Sequence, residues 1–276
     1  MTATAPARTI DPYAAVAPAS ARCFLHHLNP LAKIAAVLPA MLLLVFVRDL
    51  VTPAAFLILG YALIFVGARL TRRSAVLLFA AVPAGLLAIG FGFSLWVDAA
   101  LVDATSPLLQ LGGWTLYSGA LQIGFATALR LGSILALALI GGLTTTGPDL
   151  VRASIQQLHV PYRIGYTALA AYRFVPRFGH ELAVIRAAHR VRGHHGGRWP
   201  LARIARGWGY IVPLLAGAIR HAERVALAMD SRAFGAHPTR TERHLVPFRP
   251  RDTVFVIAFI AASAAVFVVT FPWQLN

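Results

Sequence analysis

The residues best suited to chemistry are arginines that close two similar runs. The first run, Ala171 to Gly193, reads AYRFVPRFGHELAVIRAAHRVRG, and the second, Tyr210 to Ala233, reads YIVPLLAGAIRHAERVALAMDSRA. Each has a proline near its start (Pro176, Pro213), then a glutamate (Glu181, Glu223), then an alanine four residues before a final arginine. Those last pairs are Ala188/Arg192 and Ala228/Arg232. A spacing of four stacks both members on one helix face. The arginine then projects from the last turn, where the helix dipole favours a cation. A guanidinium there can make a two-pronged bond to a carboxylate on another protein.

Other chemistry is argued against by what the chain lacks. Lys33 is the only lysine, and no glycine-rich phosphate loop precedes it. The chain is therefore not expected to hydrolyse ATP. It carries no Gly-x-Ser-x-Gly, no His-Glu-x-x-His and no cysteine pair. Cys23 is the sole cysteine and reads as an inert thiol. Glu181 and Glu223 resemble a catalytic carboxylate pair, but Arg177, Arg186 and Arg220 lie three to five residues away, so local ion pairs are expected instead. His189, His194, His195 and His221 fall near the same runs. Adjacent His194 and His195 do not converge on one point from a regular helix, so no metal site is expected. Arg130 stands inside an apolar run, where a charge costs about 2.5–3.5 kcal/mol. It reads as a structural charge within a helix bundle, partnered by a carbonyl, a water, Asp98 or Asp103.

The elements that must position these residues are apolar. Of 276 residues, 58% are hydrophobic and only 13% charged, against roughly 25% charged in a soluble domain. The long apolar runs make this a membrane protein. The net charge of +15 accompanies no DNA- or RNA-binding motif, and its arginines cluster beside the apolar runs. A cytoplasmic membrane face accounts for it better than nucleic acid does. Five spans are predicted, at about 31–47, 54–67, 74–96, 119–143 and 254–271, with a kink at Pro83. The 69–73 turn is basic and is placed inside; the 98–118 connector is acidic and is placed outside. The N-terminus is then cytoplasmic. From Arg152 to Arg251 lie 17 of the 25 Lys and Arg residues, against four acidic ones. That block is expected to stay inside, so 161–175 is read as a long amphipathic helix at the membrane rather than a span. Thr146 is placed to cap the helix that starts after Gly147-Pro148, and Lys33 to snorkel to the interface.

Several of these stretches resemble one family. Val191-Arg192-Gly193 and Ser231-Arg232-Ala233 resemble the two Ala-Arg-Gly-type motifs of the transmembrane T component of energy-coupling factor (ECF) transporters. Arg173-Phe174-Val175-Pro176 resembles the family's Arg-Phe-Ile-Pro. Pro30 shortly before Lys33 resembles its opening motif, and Thr144 to Leu150 its Thr-Thr-Pro turn. The resemblance implies an all-α integral membrane protein with about five transmembrane helices and three cytoplasmic coupling helices. The regions are a loose tail (1–25), a four-helix membrane region (26–146), coupling helices (147–250) and a last span (251–276). The implied role is a non-catalytic scaffold of an importer for a vitamin or transition-metal ion in a prokaryotic plasma membrane. Implied partners are two cytoplasmic ABC ATPases, which carry ATP and Mg, and a small membrane subunit that binds substrate; no cofactor is bound directly. Arg192 and Arg232, with Val191, Gly193, Ser231 and Ala233, would grip the ATPases. Arg173, Pro176, Glu181, Ala188, Pro213, Glu223 and Ala228 would shape the coupling helices. Small residues (Ala183, Ala187, Ala188, Gly217, Ala218, Ala222) would let those helices cross closely. The rival classes are a self-contained secondary transporter, which calls for an inverted repeat not seen here, and a membrane-anchored enzyme.

Overall fold

The computed structural model describes residues 23–98, 102, 105–111, 114–192 and 200–270. Gly193, His194, His195, Asp103 and most of the N-terminal tail lie outside the described residues. All five apolar runs are helices, and the protein is an all-α membrane protein. Helices α1 (Pro30–Phe46) and α2 (Val51–Gly67) have 17 residues each, about 25 Å of rise. The third run is continuous from Arg72 to Ser94: α3 (Arg72–Val76), a π-helical turn (Leu77–Ala81) and α4 (Val82–Ser94). Then come α5 (Ser118–Thr144) and, last in the chain, α9 (Pro250–Thr270). Arg72–Ser94, α5 and α9 are long and apolar enough to cross a membrane, and α1 and α2 are the shorter apolar helices.

These helices form one of two compact units, which runs through Ala153 and resumes at Val246. Its core joins Ala36, Val37, Ala40 and Leu44 of α1 to Phe56 and Ile64 of α2, Leu137 and Ile140 of α5, and Phe259 of α9. Large side chains such as Phe46, Phe65 and Val269 point outward, as a lipid-facing surface requires. Helices α4 and α5 pack antiparallel and very closely. A Cβ at Gly124 would fall 2.1 Å from Ser94 Oγ and 2.5 Å from the Gly90 carbonyl. Only glycine fits there, so backbone meets backbone.

The connector before α5 differs from expectation. No strand is expected in it, but β1 (Pro107–Leu111) and β2 (Trp114–Tyr117) pair antiparallel. The intervening sequence is Gly112-Gly113, a hairpin-turn signal.

One end of the bundle is tied together by the 3-10 turn Phe24–His27 and the start of α1. Asn29 caps α1 by accepting from Leu31 N–H at 3.0 Å. Asp252, 1% exposed, accepts from Asn29 N–H at 2.8 Å and from Arg249 N–H at 2.7 Å. It thereby binds the start of α9 to the start of α1. Arg251 donates to the His27 carbonyl. Lys33 does not snorkel; it is 1% exposed and donates to the carbonyls of Leu25 and Thr144, both at 3.0 Å. The carbonyl ends of the 3-10 turn and of α5 draw it inward.

His26 Nε2 accepts from Arg69 N–H at 3.1 Å, so that nitrogen carries no proton. Burial lowers the His26 pKa from its usual 6.5, and the nearby charges of Lys33, His27 and Arg69 lower it further. A depressed histidine pKa means that the unfolded chain takes the proton first. The stability linked to His26 is therefore full above pH 6.5 and lost as the pH falls through the lowered folded value. Thermal unfolding in detergent should show this acid-side loss, and His26→Gln, which accepts but does not titrate, should reduce it.

The π-helical turn leaves one carbonyl to a side-chain donor. Val82 N–H bonds to Leu77 O, and the next residue, Pro83, has no N–H to give. The buried Leu78 carbonyl is thus left without a main-chain donor, and Tyr61 Oη donates to it at 2.9 Å. Tyr61→Phe should destabilise the protein by about 1–2 kcal/mol. Pro83→Ala should lessen that loss by restoring a main-chain donor, which thermal unfolding of the single and double variants will read.

Candidate functional site

The second unit runs from Ser154 to Leu245. It contains the end of α6 (Gly147–Gln157) and the whole of α7 (Tyr162–Val191) and α8 (Pro200–Asp230). Thr146 caps α6 as its sequence suggests, accepting from Asp149 N–H at 3.3 Å and donating to Asp149 Oδ2 at 2.6 Å. Helix α8 is strongly one-sided. Helix α7, taken over its full length, carries its apolar residues around its circumference.

Helices α7 and α8 lie antiparallel. Phe174 stacks on His221 with centroids 4.3 Å apart and planes 11° from parallel. Glu181 approaches Gly217, where a Cβ would come 3.3 Å from its Oε1. His189 packs edge-on against Tyr210 at 5.2 Å. This contact uses aromatic and histidine rings more than the predicted small residues. Ala183, Ala188 and Ala222 are exposed, whereas Ala187, Gly217 and Ala218 are half-buried.

The other predicted positions fall as follows. Arg173 is exposed, while its neighbour Phe174 turns inward. Pro176 and Pro213 are interior to α7 and α8, not near their starts, because both helices extend well N-terminal of the runs first delimited. Each proline denies a helix bond to the carbonyl four residues earlier, at Tyr172 and Gly209, and so bends its helix. Among the described residues neither Glu181 nor Glu223 forms an ion pair. Arg186 lies instead over the Tyr210 ring, 5.9 Å from its centroid, and Glu223 is exposed. Exposed pairs gain too little to order two long side chains. The ion pair seen is Arg152–Asp149, at 3.0 Å. Among the described residues no group of three or more His, Cys, Asp or Glu could hold a metal.

The two arginine-tipped ends are built differently. At the end of α7, Arg192 is the C-cap residue; its N–H bonds to Ala188 O at 3.1 Å, and Arg192 and Val191 are both exposed. At the end of α8, Ala233 N–H bonds to Asp230 O at 2.9 Å and Phe234 N–H to Met229 O at 3.0 Å. Those two bonds define a Schellman motif with Ala233 at its left-handed position, φ 52°. Arg232 sits at the C-cap and is exposed. Ser231 Oγ donates to Ala228 O at 3.1 Å.

A strap holds this second turn. Phe234 packs edge-on against Tyr162 at 5.8 Å, and Arg163 donates to Gly235 O. Tyr162 donates to His237 O, Tyr166 to Glu242, and the Arg240 guanidinium lies 4.4 Å over the Tyr166 ring. The first turns of α7 therefore fix the chain that follows Arg232. Sequence reasoning missed these residues; Tyr162 and Tyr166, four apart, were their only sequence signal.

Arg130 has a clear partner. Its Nη1 donates to Val47 O at 3.2 Å and to Val45 O at 3.4 Å. The charge caps the carbonyl end of α1, the negative end of that helix's dipole. Among the described residues, carbonyls are what it meets; Asp103 lies outside them. The α1 helix ends partway along the longer α5, so Arg130 stands level with the α1–α2 turn.

Comparison with known proteins agrees with this architecture. The family model CbiQ, described as cobalt transport protein, matches residues 21–243. The chain belongs to the CbiQ/EcfT family. Its relatives include an energy-coupling factor transporter transmembrane protein EcfT of Staphylococcus aureus, 28% identical over 90% of this chain and 93% of that protein. An EcfT of Bacillus selenitireducens is 26% identical over 87% of this chain and 91% of its own length. A putative ABC transporter ATP-binding protein of Bifidobacterium longum is 28% identical over 89% of this chain, which covers 32% of that longer protein. This CbiQ/EcfT chain is the transmembrane component of an energy-coupling factor transporter.

Ala233 occupies a backbone position that suits glycine better by about 1 kcal/mol. Ala233→Gly should therefore slow amide exchange at Ala233 and Phe234 and leave the fold unchanged. Faster exchange there would contradict the strain described.

Proposed function

We propose that the α7–α8 pair couples ATP hydrolysis by two partner ABC ATPases to movement of a separate substrate-binding membrane subunit, in an importer for a vitamin or transition-metal ion. One observation carries this reading. Arg192 and Arg232 are exposed at opposite ends of an antiparallel helix pair. Helix α7 alone has 30 residues, about 45 Å of rise, so the two guanidinium groups stand on the order of 40 Å apart along the pair. That separation suits two docking sites on two proteins better than one shared site. The Bifidobacterium relative, whose name describes an ATP-binding protein, supports such a partnership.

The exposed face of α8 suits the third partner. Trp208, Val212, Leu215 and Ile219 recur at helical spacing and are all exposed. Such an apolar stripe offers a surface to a membrane-embedded protein. When the ATPases close, Arg192 and Arg232 move with them, and the helix pair shifts this stripe. Hydrolysis itself belongs to the partners, since this chain has no phosphate loop. The arginine-rich block favours an orientation with the N-terminus, α7 and α8 on the cytoplasmic side of a prokaryotic plasma membrane.

Removing one member of a partly buried charge pair costs about 2–5 kcal/mol. Arg192→Ala and Arg232→Ala should each weaken ATPase retention during purification, and the double variant should nearly abolish it. Lysine should substitute poorly at either position, because it lacks the forked guanidinium. Arg224→Ala, an exposed arginine on the same helix, serves as control. Normal retention by the double variant, with loss in the control, would place the coupling residues elsewhere.

A further inference from the structure

One buried cation has no part in the coupling scheme so far. Lys33 is the only lysine of the chain and is 1% exposed. Its Nζ donates to Leu25 O and Thr144 O, each at 3.0 Å, and to Thr144 Oγ1 at 3.1 Å. An ammonium has three N–H groups, and all three are used on neutral oxygens. Two of those oxygens are main-chain carbonyls at the ends of helical segments, the 3-10 turn Phe24–His27 and α5. Both lie at the negative ends of their segments; the Leu25 carbonyl also accepts from Leu28 N–H at 3.4 Å. Thr144 Oγ1 passes its own proton to Ile140 O, so its lone pairs are free for the ammonium. A neutral amide in the same place would bring only two N–H donors to three acceptors.

The position of this contact is what gives it a task. Thr144 is the last residue of α5, and only Thr145 and Thr146 separate it from α6. The start of α6 is itself stiff. Thr146 and Asp149 bond reciprocally, Leu150 N–H bonds to Thr146 O at 3.1 Å, and Arg152 pairs with Asp149. Displacement of α6 against α1 therefore pulls on the ammonium contact through only two intervening residues.

We propose that Lys33 is a positioning residue for energy coupling: its buried ammonium holds the end of α5 as the fixed pivot from which α6 and the chain after it are carried. Motion imposed beyond α6 then reaches the membrane bundle without being absorbed at Thr145 and Thr146. This rests on the ATP-driven reading above.

The uniqueness of Lys33 supplies a direct test. In the purified complex with its ATPases, peptide mass spectrometry after acetylation with an amine-reactive ester reports this one side chain. Lys33 should stay protected both without nucleotide and when trapped with ATP and vanadate. Acetylation in either state would show that the contact opens during the cycle, and would overturn the pivot. The second arm uses nitroxides at Leu42 and Val151, on α1 and α6 of the same unit, in a Cys23→Ser background, with distances read by pulsed electron resonance. The chain with Lys33 and Thr144 intact should give one narrow distribution in each nucleotide state. Lys33→Met and Thr144→Val should lose that single peak while the complex still hydrolyses ATP, and Thr144→Ser should restore it. Unchanged distributions in both variants would refute the proposal. Should Lys33→Met fail to fold, Thr144→Val and the acetylation carry the same decision. If the unsubstituted chain retains no ATPase, the functional reading fails, and the label distances measured on the chain alone still decide the pivot.

Discussion

Helix ends buried in an apolar bundle leave backbone groups that water does not reach, and the membrane unit is organised around meeting them. Four of its polar side chains serve main-chain groups in this way. Lys33 collects the carbonyls that end the 3-10 turn and α5. Asp252 collects the amides that precede α1 and α9. Arg130 collects the carbonyls that end α1. Tyr61 supplies the donor that Pro83 withholds. Charges so used are oriented by helix dipoles, cations at carbonyl ends and the carboxylate at amide ends. This explains how single ionisable residues stand in apolar runs without a direct ion pair among the described residues.

Between these ties the bundle relies on close contact. Gly124 lets α4 and α5 touch backbone to backbone, and Gly60 lies against Ala136 where a Cβ would come within 3.2 Å. Lipid is as apolar as a leucine core, so burial alone does little to hold such helices together. Dispersion across short separations and hydrogen bonds at the ends must do it. The α7–α8 pair follows another rule. Its contacts are flat rings at Phe174, His221, His189 and Tyr210, which can slide or tilt with less loss than interlocked glycines. The two units thus differ in how their helices meet, through small residues at short separation in one and through rings in the other.

The bundle was largely legible because its signals are strong. Apolar runs of about helix-spanning length, Pro30 after Asn29, and Thr146 ahead of Asp149 each follow from local chemistry. The hairpin was missed because Gly112-Gly113 was not weighed as a turn. Lys33 was misjudged because a lysine three residues into a helix ordinarily reaches water, and nothing local reveals that two carbonyl ends converge on it. The runs were delimited only a few residues before Pro176 and Pro213, whereas α7 and α8 continue well N-terminal of both prolines. At the candidate site, the arginine-tipped ends were readable from spacing. The strap from Tyr162, Arg163 and Tyr166 to the chain after Arg232 was not, since its partners are more than 70 residues apart.

The sequence likeness of the two arginine runs also conceals an asymmetry that matters for coupling. Arg192 ends α7 in an ordinary C-cap, with φ −74° and ψ 8°. Arg232 ends α8 in a Schellman turn with an alanine held at φ 52°, and five side chains from α7 and the following loop brace that turn. A non-glycine residue at positive φ persists only where its surroundings over-determine it. The Arg232 guanidinium is therefore presented from a preset backbone, and less ordering entropy opposes its docking. Arg192 has no comparable brace among the described residues and must be ordered by whatever it meets. If each arginine seats in one of two similar ATPases, the contact at Arg232 forms at lower entropic cost. The one at Arg192 adapts, and the helix pair is rigidly coupled at one end and compliant at the other.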